Sequence, residues 1–552
     1  LWSKALSGQK KIKNEEVERV ERIEIHLKEA LLTSGPLKDT FSFKEEIISL
    51  EKVELSSNLD SSSSDKPLFR VILAKRLDFR IEKEKRSLPE VGLEETLSKE
   101  KTLSFEGVNP QGSIEITVGL DEFREILPSG FLAILSSFAE SVGFFDPFLK
   151  HFSLPMKEVS YSVMDKIATL FSSIIVGCSH IKDINHKLRP YPSAASLFGM
   201  ERFPDQSQIN RFLKRVGPGE ISELSLIFEA ILDKVALFQG EEKVDLNVDA
   251  TGLIVYGDSY QFAKKGYFPK KRGRKGYQLS LGTTNSEYSQ ILSLILDPGN
   301  ISLAVRLWDT IYEVAEVLGS LERIGTVRAD AIYGIGPDIA LLLRHNLSFL
   351  VKGNSCFTAK RILRELAPSY DDWRRVDETT FAFDARYVPI RRCPYPVRTV
   401  LTKAVNAKGK IEFRHIYTSF RPKEMDGVEV ATSFRKRSDI ESIIRDDKYG
   451  LHIDNLRTKN FWGIWAYLFI ACATHNLISL FRKRVLSGTG IENLGIQTIT
   501  KKLTDIPAKF EKEQNRMKIF FPAGHELARR FIQGKQDNHK SNLFPLQKKL
   551  YN

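Results

Sequence analysis

The sequence predicts an α/β protein with a mainly helical region in front of it, and three observations carry that expectation. Val244, Leu246 and Val248 alternate with Asp245, Asn247 and Asp249, the period of two that marks a strand with one apolar face. Two more strand-like runs follow at 277–284 and 290–296, and then helix, strand, helix, strand at 303–321, 326–329, 335–345 and 348–351. Upstream, the apolar stretches 131–152 and 163–177, and a segment closing near Phe238, have helical spacing instead.

Taken in order, residues 1–105 mix Lys and Glu runs with the serine-rich patch 56–64. So little apolar surface predicts a poorly packed arm or linker. Residues 106–240 form the mainly helical region, a candidate DNA-binding domain because of one segment near its end. There Asp205 is placed to N-cap a helix whose Ile209, Phe212 and Leu213 share a face. Its other face carries Gln206, Gln208, Asn210, Arg211, Lys214 and Arg215. Such a face either reads base edges and phosphates, with Gln208 and Arg211 foremost, or is the solvated side of a packed helix.

Three strands followed by helix, strand, helix and strand is the order of a ribonuclease H-like core, expected over 241–355 and 430–485. Between those parts, 380–388, 397–405 and 411–417 read as antiparallel strands, the last two joined by a turn at 406–409. This predicts a β-rich insertion over 356–429. The run 461–481 is apolar enough to raise a membrane span, yet His475 and Asn476 interrupt it and Arg482, Lys483 and Arg484 follow. A buried core helix is expected there, with no membrane partner. Residues 486–552 read as a basic C-terminal segment.

A formal charge of +12 across 552 residues and a pI near 9.2 favour a polyanionic partner. Cys178, Cys356, Cys393 and Cys472 contain no C-x-x-C pair, which argues against a zinc site or a disulfide framework. Lys- and Glu-rich sequence at the start replaces the apolar stretch of a secretory leader. A cytoplasmic, nucleoid-associated protein is the expectation.

Three acids stand where separate elements end. Asp249 is placed at the end of the first strand and Asp330 just after the fourth, neighbours in this topology. Glu441 lies in a third segment, 434–448. On one continuous helix Phe434, Arg437, Glu441 and Lys448 would share a face about 60° wide, with Ile440, Ile443 and Ile444 on another. Carboxylates converging beside cations suit phosphodiester chemistry, in which hard divalent ions take oxygen ligands. A lone acid at a strand end is more often a cap or an ion-pair member. Asp245, Asp258, Asp439 and Asp447 are read as surface charges or local supports, and His415, His452 and His475 as structural.

Residues 264–275 hold seven basic side chains and no acid, with Tyr267, Phe268 and Tyr277 alongside. Lys270, Lys271, Arg272, Arg274 and Lys275 make a candidate backbone clamp, against the plainer reading of a solvated turn. Trp373, beside Arg374 and Arg375, either stacks on a displaced base or belongs to the core.

The spacing of Arg437, Glu441 and Lys448 resembles the Y-(2)-R-(3)-E-(6)-K signature of the insertion-sequence-4-type DDE transposases, with Phe434 where the signature has tyrosine. Val248-Asp249-Ala250-Thr251 and the basic loop resemble the first-aspartate region of the insertion-sequence-1380-like branch. Residues 328–333 resemble its second-aspartate region, though serine and glycine more often follow the acid there. The resemblance runs from about 131 to 530 and implies a transposase that cuts at terminal inverted repeats and joins the freed 3′ hydroxyl to target DNA. It also implies that Asp249, Asp330 and Glu441 bind two Mg2+ ions, with Mn2+ able to substitute, and that Phe434, Arg437 and Lys448 hold the transposon end. Joining two ends implies a homodimer on DNA. A catalytically silent DNA-binding derivative and a structure-selective nuclease are the other readings: the first would be expected to lack a carboxylate, and the second would not need the insertion.

Overall fold

The computed structural model describes residues 126–537 except 157–159, 269–270, 355, 406–408 and 514–515. Before them it describes two short antiparallel pairs, Leu50–Val53 with Leu68–Val71 and Glu100–Phe105 with Ile114–Gly119. The serine-rich patch of the expected arm, Lys270 and residues 538–552 lie outside the described residues.

The helical region contains α1 (Gly130–Ser141), α2 (Val163–Ile175), α3 (Gln206–Arg215) and α4 (Pro218–Val235). Each start is set by local chemistry. Ser129 caps α1, Ser162 and Asp165 make a capping box on α2, Asp205 accepts from the Ser207 and Gln208 amides, and Pro218 opens α4. The helix expected over 131–152 stops at Ser141, because Gly143 takes a left-handed φ of 66° and a short helix restarts at Asp146–His151.

The sheet begins with β1 (Val244–Ile254), β2 (Lys275–Thr284) and β3 (Ile291–Pro298), followed by α5 (Arg306–Leu318), β4 (Ile324–Ala329), α6 (Gly336–Arg344) and β5 (Ser348–Lys352). Then come α7 (Cys356–Leu366), β6 (Thr380–Pro389), β7 (Pro396–Val405), β8 (Ile411–Thr418), α8 (Gly427–Arg435) and α9 (Ser438–Asp446). The spatial order is β6-β7-β8-β5-β4-β1-β2-β3, with two-residue strands added beside β6 and β2. Strands β1, β4 and β5 are parallel and every other neighbour is antiparallel. Register places the acids: Ala329 pairs with Val248, so Asp330 and Asp249 come next at the same level.

β6 to β8 continue the main sheet beyond β5. α7 covers one face of this extension through Ala359 and Ile362, and α8 packs Val430 and Ala431 on a second cluster with Leu350 and Val400. Arg398, fully buried, bonds Asp384 and the carbonyls of Phe420 and Met425, which fixes the chain leading into α8.

A last helix, α10 (Phe461–Phe481), is apolar all round and buried nearly throughout, packing on α2, α3, α4 and β3. It is long and apolar enough to cross a membrane, but 94% of the apolar window lies inside the protein. The polar residues that interrupt it have partners. The Asn476 amide accepts from the Ile291 N–H and donates to the Ile291 carbonyl, both at 2.7 Å, and His475 bonds Asp447 and the Ser289 carbonyl. Asn460 caps two helices at once: its Oδ1 accepts from the Trp462 amide of α10, and its Nδ2 donates to the carbonyls of Leu213, Lys214 and Val216 at the end of α3. The C-terminal segment also folds back. Ala508–Glu513 pairs with Ile126–Leu127, and Phe521 and Phe531 lie 5.0 and 5.1 Å from the Phe131 ring.

The close crossing of α10 and α3 gives a stability test. A Cβ on Gly463 would sit 2.1 Å from the Leu213 carbonyl oxygen, whereas one on Gly219 of α4 meets nothing within 4 Å. Gly463→Ala should lower stability by about 1–3 kcal/mol, and Gly219→Ala should leave it unchanged or raise it by up to about 1 kcal/mol. Chemical denaturation of the two variants checks the pair, and equal effects would count against the crossing.

Candidate active site

The three acids meet at one guanidinium. Arg437 Nη1 lies 3.1 Å from Asp249 Oδ2, its Nη2 lies 3.9 Å from Asp330 Oδ1, and Nη2 also contacts Glu441 Oε1. Arg437 is 9% exposed and stands 5.8 Å from the Phe434 ring centre, so the aromatic screens it from solvent. Its Nε is buried without a partner.

Each acid comes from a different element. Asp249 is inside β1, which runs on five residues further than expected because β2 continues to pair with it after β4 has ended. Asp330 leaves β4 and Glu441 sits on α9. Lys352, the last residue of β5, places its ammonium 3.0 Å from Asp330 Oδ1. Sequence reasoning missed it. The available signal was a lone cation closing an apolar strand at the carboxyl edge of parallel strands, where sites gather in α/β sheets.

The helix expected to run unbroken through 434–448 is interrupted twice. Arg328, 3% exposed on β4, donates to the Ser433 carbonyl and hydroxyl at 3.1 Å each and pairs with Asp245 at 2.8 Å. The Arg437 amide then bonds the Phe434 carbonyl rather than that of Ser433, so α8 ends and α9 restarts at Ser438. A wide π turn follows at Asp447–Leu451. It carries Lys448, whose ammonium reaches the Thr251 hydroxyl on β1. Phe434 therefore comes from α8, Arg437 from the break, Glu441 from α9 and Lys448 from the π turn, not from one helical face. Asp447, read from sequence as a surface charge or support, is buried at 1% exposure and bonded to His475.

The basic loop rises beside β1 and β2. Lys271, Arg272 and Arg274 are exposed, Tyr256 and Tyr267 are 63% and 76% exposed, and Arg274 lies 5.5 Å from the Tyr256 ring centre. Lys275 pairs with Asp258 instead. Phe268 is buried, anchoring the loop against Gly252 and Gly276. On α3, Arg211 is exposed and Gln208 half-buried, on the face away from Ile209, Phe212 and Leu213. Trp373 packs in the cluster with Phe383 and Phe413.

An all-oxygen donor set of three carboxylates fits a hard divalent cation in kind. In spacing it does not: among the described residues no three His, Cys, Asp or Glu side chains stand close enough to hold a metal ion directly. The physical reason is the guanidinium between them, a cation held by the same oxygens.

The family model for the transposase DDE domain, group 1, matches residues 127–537. The chain belongs to the DDE transposase family. Membership implies a nuclease and transposase chemistry that uses divalent metal, typically Mg2+. Among solved structures, a piggyBac transposase synaptic complex with hairpin DNA aligns over 68% of this chain and 80% of that one, at 13% identity and a TM-score of 0.37. No curated protein matches the chain.

Electrostatics within the site yields a pH test. Burial pushes the Asp249 carboxyl from 3.8 up to about 6, with Arg437 pulling the other way and Asp330 and Glu441 adding to the rise. Burial raises Asp330 too, but Lys352 and Arg437 more than offset it and leave that acid below its ordinary value. A group with a raised folded pKa favours the fold at low pH and loses that contribution as pH climbs through the folded value. In metal-free buffer Asp249→Asn should therefore gain thermal stability relative to the parent between about pH 4 and about pH 7. A constant offset across that window contradicts the assignment.

Proposed function

We propose that this transposase hydrolyses DNA at its own terminal inverted repeats and transfers the resulting 3′ hydroxyl to target DNA, using Asp249, Asp330 and Glu441 as its catalytic carboxylates. The observation that carries the reading is their convergence on Arg437 from three separate segments of the chain. Scattered surface acids have no reason to share one buried cation.

Only with Arg437 withdrawn from between them would these carboxylates hold two Mg2+ ions, or Mn2+ in their place, whose charge would assist the attacking and leaving oxygens. The protein's own groups do the rest. Asp249 is buried enough that its negative charge requires a cationic neighbour. Arg437, released from the acids, has a rigid fork suited to a phosphate of the transposon end, and Lys448, held at Thr251 of β1, would add a second cation. Phe434 offers a ring to a base but no hydroxyl to a phosphate. Lys270, Lys271, Arg272, Arg274 and Lys275 would hold the backbone of the same end, with Gln208 and Arg211 on α3 as further contacts.

The same reading places the protein in the insertion-sequence-4-type superfamily, nearest the insertion-sequence-1380-like branch. It takes 241–355 and 430–485 as a ribonuclease H-like core, 356–429 as a β-rich insertion, and 106–240 as the DNA-binding region. It further implies a homodimer on paired ends and a cytoplasmic, nucleoid-associated location. A silent DNA-binding relative is the second reading, favoured by the ion pairing that already satisfies all three acids.

Labelled duplexes from both flanks of the gene, incubated with Mg2+, separate the two. The parent protein should cut at a repeat, while Glu441→Gln should bind the same duplex within about threefold and cut at background level. Tight binding with no cutting by the parent, even when two ends can pair, would establish the silent relative instead.

A further inference from the structure

The site has a second basic and aromatic flank, on the opposite side of the sheet from the 264–275 loop. The acids project where β1 and β4 lie in the middle of the spatial order, and the loop belongs to the β1–β2 side. α7 starts four residues after Lys352, on the β5–β8 side. Its first turn is held near the second acid, because the Gly353 amide bonds the His415 carbonyl and the Asn354 amide bonds the Gly334 carbonyl, four residues beyond Asp330.

Phe357, Lys360 and Arg364 follow at helical spacing and are all exposed, Phe357 by 77%, while Ala359 and Ile362 are buried beneath. Glu365, the only acid of α7, already faces Arg361 at 3.8 Å. The β6–β7 turn adds exposed Arg391, Arg392 and Tyr395. The turn is anchored to the rest: Ile390 and Cys393 pack on the main core, Arg361 donates to the Pro389 carbonyl at 3.1 Å, and a Cβ on Gly336 would lie 2.0 Å from the Arg391 carbonyl oxygen. The turn therefore rests on the start of α6, just after the Asp330 loop. None of these six exposed side chains packs the core, and an exposed phenylalanine among cations has no folding role.

We propose that this surface, formed by α7 and the β6–β7 turn, binds the target duplex, resting on the transposase reading above. Strand transfer brings two duplexes to one set of carboxylates, and they must leave it in different directions. With the transposon end on the β1–β2 side, the basic surface on the β5–β8 side is left for the DNA that is attacked. Exposed cations with aromatics among them suit a sequence-independent backbone contact.

The test compares the full chain with Lys360→Ala/Arg364→Ala and with Arg391→Ala/Arg392→Ala. Anisotropy of a labelled duplex that lacks any repeat, measured across a salt series, should show each pair losing about two units of the log K against log salt slope. With pre-cut ends and a plasmid target, strand transfer should fall at least about tenfold while cleavage of uncut ends stays within about twofold. Unchanged duplex binding overturns the proposal, as does a matching loss of end cleavage, which would assign the surface to the transposon end. If the parent protein cuts no repeat, the proposed function fails, and the duplex salt slope alone still decides whether this surface grips DNA.

Discussion

Three carboxylates cannot be brought together in a half-buried site without a cation, and Arg437 is the one around which this fold closes. Burial raises the Asp249 carboxyl to about 6 despite Arg437, and the charges of Asp330 and Glu441 add a little to the rise. The guanidinium bonds Asp249 and Glu441 and lies within ion-pair distance of Asp330. Its own position is then fixed from below. Arg328 on β4 donates to the Ser433 carbonyl and hydroxyl and so ties the end of α8 to the sheet. Removing the acids' shared cation would leave charges that this much burial does not tolerate.

The rest of the molecule holds the elements that bring those charges together. β-register sets Asp330 level with Asp249, and α10 fastens the sheet to the helical region through Asn476 on β3 and Asn460 on α3. The C-terminal segment closes over α1 by aromatic contacts, so chain ends far apart in sequence share one core with the helical region. A rigid frame of this kind keeps a site built from three distant segments in position. The exposed basic surfaces lie on its two flanks.

Much of this was legible in the sequence, for physical reasons that differ by element. The strand order from 244 to 351 could be read because apolar alternation and β-branched runs carry their own signal, and the strands start and end within two residues of expectation except β1, which runs five residues further. The nearness of Asp249 and Asp330 could be expected from the strand order, and that of Arg437 and Glu441 from their spacing. What spacing could not give was the break between α8 and α9, beside which Arg328, 105 positions from Ser433 in sequence, holds the end of α8. The break also replaces the single helical face expected for Phe434, Arg437, Glu441 and Lys448, although Phe434, Arg437 and Glu441 still meet and Lys448 reaches β1 at Thr251. Lys352 had only its place at a strand end to signal it and no partner nearby in sequence, and the packing of 508–531 on α1 and the surface of α7 had no local signal. Each depends on contacts between distant segments that no local period encodes.

The most direct test of the account is the anomalous diffraction of Mn2+ in crystals of the protein bound to a duplex carrying a pre-cut end. The account predicts manganese bounded by Asp249, Asp330 and Glu441, with the Arg437 guanidinium turned from the acids onto a phosphate. Manganese bound elsewhere, with the three carboxylates still gathered on Arg437, would contradict it.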